Sequence, residues 1–127
     1  MNNNLRTDLA KAKGAGSAKS GSGHWLHQRI TAIILVICSI WLIFFIKYNM
    51  GKDLIHVVGT LQKPYNIAPL GILIITSLYH AMLGMRIIIE DYISCIKLRI
   101  GLIIFLQIFC IITIVFLVVA LFYAITV

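Results

Sequence analysis

Three long apolar stretches run through this chain: Ile30 to Ile46, Ala68 to Ile89, and Ile100 to about Tyr123. Short polar segments separate them. Ahead of the first lie 23 residues that are polar, basic and small, ending in "GAGSAKSGSG". A hydrocarbon core about 30 Å thick is crossed by roughly 20 residues of helix rising 1.5 Å each. The second and third stretches meet that length, and the first does so once Trp25 to Arg29 extend it as an interfacial turn. Only helices or closed barrels satisfy their own backbone in lipid, and no strands for a barrel accompany these runs. The pattern predicts an all-α membrane protein with three transmembrane helices, at about residues 25–47, 68–92 and 98–124. It divides the chain into a flexible basic tail, 1–23, and a membrane domain, 24–127. Pro64 and Pro69 suit the first loop and the opening turn of the second helix.

Composition agrees, with 61% hydrophobic and 12% charged residues. A soluble domain of this size would carry far more polar surface. The tail does not read as a secretory signal, because the apolar run after it is too long and no small-residue cleavage site follows. The net charge of +7 would suit nucleic acid, but no basic stripe or aromatic module accompanies it. Topology explains the charge better. Arg6, Lys11, Lys13, Lys19, Arg29, Arg86, Lys97 and Arg99 flank one side of the spans, against Lys47, Lys52 and Lys63 on the other. The positive-inside rule puts the N-terminus and second loop in the cytoplasm and the C-terminus in the periplasm. Cys38, Cys95 and Cys110 are odd in number, far apart and without metal-type spacing, and are read as reduced packing residues.

Candidate chemistry gathers on the second helix. His80 falls close to the bilayer midplane, and at 100° per residue it shares a stripe with Gly84, Ile87 and Asp91. Intramembrane polar residues usually face protein or a cavity, so this stripe is expected to be the buried face. An imidazole there suits a haem iron, with Gly84 clearing room for a flat macrocycle. The alternative is a packing histidine that bonds a carbonyl of a neighbouring helix, with Gly84 allowing close helix approach. No second histidine lies at membrane depth: His24 and His27 sit at the interface and His56 in the outer loop. A bis-histidine haem would need another chain. Asp91 and Tyr92 fall about 16 Å below His80 along the helix. They are either a solvated helix end with a belt aromatic, or a phenol donor to a quinone carbonyl oriented by the aspartate. Glu90 points about 100° away, and is read as solvated. Arg29, at the start of the first helix, is expected at the level of Asp91. It either snorkels to lipid phosphate or pairs with an anionic group.

Two motifs join these residues. H-x-x-x-G-M-x-x-x-x-x-D-Y stands as His80, Gly84, Met85, Asp91 and Tyr92, and H-x-x-x-Q-R-x-T-A as His24, Gln28, Arg29, Thr31 and Ala32. With three spans, they make residues 17 to 127 resemble the hydrophobic membrane anchor subunits of succinate dehydrogenase, respiratory complex II, of the bacterial four-subunit type. The resemblance implies an anchor in the bacterial inner membrane that forms a heterodimeric helix bundle with a cytochrome b556 subunit and tethers flavoprotein and iron–sulfur subunits. It implies that His80 is one axial ligand of haem b, the companion subunit supplying the other. Tyr92 would contact ubiquinone with Asp91 orienting it, and Arg29 would lie near a haem propionate or the quinone. Part of the family has a histidine near the level of Gly23; here His24 and His27 are shifted, and neither is assigned. The resemblance places the complex in the tricarboxylic acid cycle and aerobic electron transport, with no catalysis by this chain alone. That agrees with the lack of a Gly-rich nucleotide loop, cysteine cluster or catalytic triad. Two other classes stay open. A channel subunit would want more polar residues along helices one and three than Ser39, Gln107 and Thr113, and a cofactor-free assembly subunit would use His80 for packing.

Overall fold

The computed structural model describes residues 21–126, and those residues are all-helical apart from short connections. The helices are α1 (Gly21–Asn49), α2 (Leu54–Leu61), α3 (Pro64–Tyr92) and α4 (Ile96–Thr126). α1, α3 and α4 are long and apolar enough to cross a membrane. Residues 1–20 of the expected tail lie outside the described residues, and its last three already belong to α1.

The boundaries differ from expectation for identifiable reasons. α3 starts at Pro64, not near residue 68, because Lys63 takes the extended N-cap conformation and Pro64 the first helical position. A proline costs nothing there, since that amide has no intrahelical partner. Pro69 lies inside the helix, near enough to its start that little of the hydrogen-bond ladder is lost. The expected plain outer loop holds the short helix α2. It is tied down at two points: Asn66 Nδ2 donates to the Thr60 carbonyl at 2.8 Å, and Gln62 Nε2 to the Ala124 carbonyl at 3.2 Å. Gly51, at φ +77°, turns the chain out of α1 in a conformation that favours glycine.

α3 is the central helix and packs against each of the others. α1 and α3 run antiparallel: Thr31 meets His80 near one end, while Phe45 and Tyr65 border a common cavity near the other. α4 returns antiparallel after the connection 93–95, so that Gly71 meets Leu121. A Cβ at position 71 would lie 2.9 Å from Leu121 Cδ1, the tightest approach at any described glycine. Leucine at 71 would overfill that contact, at a cost of about 1–3 kcal/mol. Gly71→Leu is expected to lower the thermal midpoint of the purified protein, and Leu121→Ala added to it to recover most of the loss. No recovery would mean the two residues do not meet.

The burial pattern is inverted relative to a water-soluble bundle. Thr31, Asn49, Thr60 and Asn66 are buried, whereas Phe44, Phe105, Phe116 and Phe122 are exposed. Apolar side chains gain nothing by leaving lipid, while polar groups in lipid must find partners inside the protein. One expectation fails here. The stripe through His80, Gly84, Ile87 and Asp91 is not the buried face: His80 and Gly84 are half-buried, Ile87 and Asp91 exposed. The buried positions of α3 are Asn66, Ile67, Gly71, Leu83 and Ile89. Two long neighbours cover only two sides of a helix, and this stripe lies at the edge they leave open.

Candidate functional site

Gln28 and Thr31 stand three residues apart on α1, hence on one face, and that face meets α3 at His80. The Thr31 hydroxyl lies 2.7 Å from His80 Nδ1, and the Gln28 side-chain nitrogen lies 3.2 Å from His80 Nε2. Thr31 Oγ1 also donates back along its own helix, to the His27 carbonyl at 2.8 Å with the Gln28 carbonyl at 3.1 Å. Such back-bonding is the usual way a threonine satisfies its hydrogen within a helix. Gln28 Oε1 is buried and has no partner. His80 is therefore bonded by side chains of α1 and not by a neighbouring carbonyl. Beside it, the Tyr79 hydroxyl and His27 Nδ1 stand 3.4 Å apart, a looser link between the same helices.

Gly84, one turn along, is not a close-packing glycine. A Cβ there would meet only the end of the Gln28 side chain, at an ordinary 3.8 Å. The glycine that lets helices approach is Gly71, on the other half of α3. The space beside Gly84 is open to a group other than α1.

Arg29 does not come to Asp91. Because Gln28 and Thr31 meet His80, Arg29 stands at the level of His80, about 16 Å along the bundle from Asp91. The expectation that Arg29 and Asp91 share a level took the ends of the apolar runs as aligned, whereas α3 continues well past the start of α1's run. Two residues from Thr31, Arg29 is turned about 160° away from it around α1. The exposed guanidinium stacks over Trp25, 5.2 Å from the ring centroid. It heads an apolar groove of ≈ 320 Å³ lined by Ala32, Ile33, Val36 and Ile37.

At the end of α3, Asp91 and Tyr92 are both exposed, Tyr92 by 83%. Neither side chain has a hydrogen-bond partner among the described residues. Glu90 differs from its neighbour: its carboxylate accepts from Arg86 Nε at 2.8 Å, one turn back on the same helix. No group of three or more histidine, cysteine or acidic side chains is placed to hold a metal among the described residues.

Gln28 and Thr31 are the residues that sequence reasoning passed over as partners of His80. Their signal was present, since two polar side chains one turn apart at the mouth of an apolar run must face protein.

A three-span, lipid-facing bundle with a histidine held between two spans defines a polytopic membrane subunit with an interhelical polar site. The family profile described as succinate dehydrogenase/fumarate reductase transmembrane subunit matches residues 3–120, and the chain belongs to that family. It is 57% identical over 123 residues to the succinate dehydrogenase hydrophobic membrane anchor subunit of Rickettsia bellii (strain RML369-C), covering 97% of this chain and 98% of that one. It is 58% identical over 120 residues to the protein of the same description from Rickettsia conorii, covering 94% and 95%. A more distant relative, the succinate dehydrogenase membrane anchor subunit of Reclinomonas americana, is 35% identical over 85 residues, covering 65% and 71%. No solved structure matches the chain. Membership makes this a non-catalytic membrane anchor subunit, as the resemblance implied.

Proposed function

We propose that this chain anchors a succinate:ubiquinone oxidoreductase in the bacterial inner membrane, helps hold haem b through His80, and contributes Tyr92 and Asp91 to the ubiquinone site. The observation that carries the reading is the setting of His80. Thr31 occupies one ring nitrogen, and the other faces only a glutamine amide whose oxygen is unpartnered.

These atoms fit an iron ligand. An imidazole bound through Nε2 carries its hydrogen on Nδ1, where it needs an acceptor, and the Thr31 oxygen is 2.7 Å away. The Gln28 amide is the group to displace, and it is held to His80 by a single hydrogen bond. The half-buried edge at His80 and Gly84 leaves a side on which a second chain could bring a further histidine toward the haem. Haem b, when bound, supplies a one-electron reservoir between the two anchor subunits. Arg29 offers its guanidinium to an anionic group lying against the open face of α1, such as a propionate.

The cytoplasmic side is assigned from Arg6, Lys11, Lys13 and Lys19 ahead of α1 and from Arg86, Lys97 and Arg99 toward the α3–α4 connection, against Lys47, Lys52 and Lys63 on the other side. The soluble flavoprotein and iron–sulfur subunits would dock there, beside Asp91 and Tyr92. The test is to purify the complex from native membranes through this chain and identify its companions. A flavoprotein, an iron–sulfur protein and a second haem-binding anchor are expected. Cys95 is exposed in the α3–α4 connection, so an impermeant maleimide should reach it in stripped inside-out vesicles and not in intact cells. Absence of the flavoprotein would end the anchoring proposal, and labelling from intact cells would reverse the topology.

A further inference from the structure

We propose that Thr31 is the positioning residue for His80: its hydroxyl oxygen accepts the Nδ1 hydrogen and thereby presents Nε2 as the metal-facing lone pair. The inference rests on the reading of His80 as a haem ligand and adds the group that sets the ligand's tautomer and ring orientation.

The hydrogen count leads there. Thr31 has one hydroxyl hydrogen, and the carbonyl of His27 takes it at 2.8 Å, shared with Gln28 at 3.1 Å. With that hydrogen on the His27 carbonyl, Oγ1 turns a lone pair toward His80 Nδ1 at 2.7 Å, the arrangement in which Nδ1 carries the ring hydrogen. The second contact is compatible with that arrangement. The end of the Gln28 amide lies 3.2 Å from Nε2, and with its NH₂ group turned there it donates to an unprotonated Nε2. Thr31 is itself buried, so no water competes for its oxygen. Because the backbone of α1 fixes that oxygen twice over, the imidazole is held before any ligand arrives.

Groups that accept from a ligating imidazole raise its basicity, and their loss commonly costs 10–100-fold in metal affinity. The experiment compares Thr31→Val, Thr31→Ser and wild type in the assembled complex, reading haem transfer to an acceptor apoprotein and the haem midpoint potential. Thr31→Val keeps the shape and removes the acceptor. It is expected to weaken haem retention by about 10–100-fold and to move the midpoint upward, since a less basic imidazole stabilises ferric iron less. Thr31→Ser keeps the oxygen and should stay close to wild type in both. A merely structural role reverses the order, because valine preserves packing in lipid and serine loses a methyl group. If valine matches wild type in retention and potential, or serine is the worse of the two, the proposal is overturned. Should the valine complex not assemble, Thr31→Ala against Thr31→Ser decides on the same readouts. A His80→Ala complex that keeps its haem would remove the underlying ligand reading instead, so the two failures are distinguishable.

Discussion

Complexes carrying His80→Ala are expected to assemble and to lose the reduced b-type absorbance. Assembly should survive because little of the bundle's stability passes through this side chain. Interhelical hydrogen bonds in membranes average about 0.6 kcal/mol each. His80 makes two contacts of that kind, to Thr31 and Gln28, and the packing of α3 on α1 and α4 remains. With haem held between two chains as proposed, this chain would offer no substitute for the lost His80 nitrogen. His27, on the adjacent turn of α1, is turned to Tyr79. The optical spectrum of the purified complex, reduced minus oxidised, is the measurement. An unchanged b-type band in fully assembled His80→Ala complex removes His80 from the iron. Turnover is a poorer reporter, because electrons can reach quinone without passing through haem.

Tyr92→Phe is expected to slow quinone reduction by tenfold or more while leaving succinate oxidation by a bypassing dye near normal. The phenol can donate one hydrogen bond to a quinone oxygen, and phenylalanine keeps the ring and loses the donor. Such a bond contributes about 0.5–1.5 kcal/mol net, and more as charge develops on the oxygen during reduction. A difference of about 1.4 kcal/mol is a factor of ten in rate. Folding is not at stake, because Tyr92 is 83% exposed and bonds nothing among the described residues. Asp91→Asn is expected to act in the same direction, by weakening the carboxylate acceptor proposed to orient the tyrosine in the assembled site. Glu90→Gln is the control. Its carboxylate is engaged by Arg86, and an exposed pair one turn apart on a helix is worth only about 0.3–0.5 kcal/mol. Quinone-linked against dye-linked turnover is compared in the three variants, and equal ratios throughout would make Tyr92 an ordinary interfacial aromatic.

What was legible in the sequence follows from how lipid acts on a chain. Spans must be long and continuously apolar, so α1, α3 and α4 stand out from composition alone. His80 stands out for the complementary reason, since a polar group within such a run needs a purpose. The outer loop was harder. Leu54–Leu61 is apolar but too short to span, and in the structure it is a helix held in place by Asn66 and Gln62. The paired prolines hid the start of α3, because one of them sits where a proline is harmless.

The sequence by itself determined the solvent, the number of spans, the charge bias across them and the placement of His80, Asp91 and Tyr92 along one helix. Each depends on local composition or on a fixed helical period. Tertiary structure alone decided the relative sliding and rotation of the spans. It set α1 against α3 so that Gln28 and Thr31, and not a carbonyl, meet the imidazole. It raised Arg29 to the level of His80 and turned it to the opposite face of α1, away from Asp91. It made Gly71 the close-packing glycine and left Gly84 open. An apolar helix in lipid has no preferred partner face, so its register depends on a few small residues and polar contacts that only the packed bundle brings together.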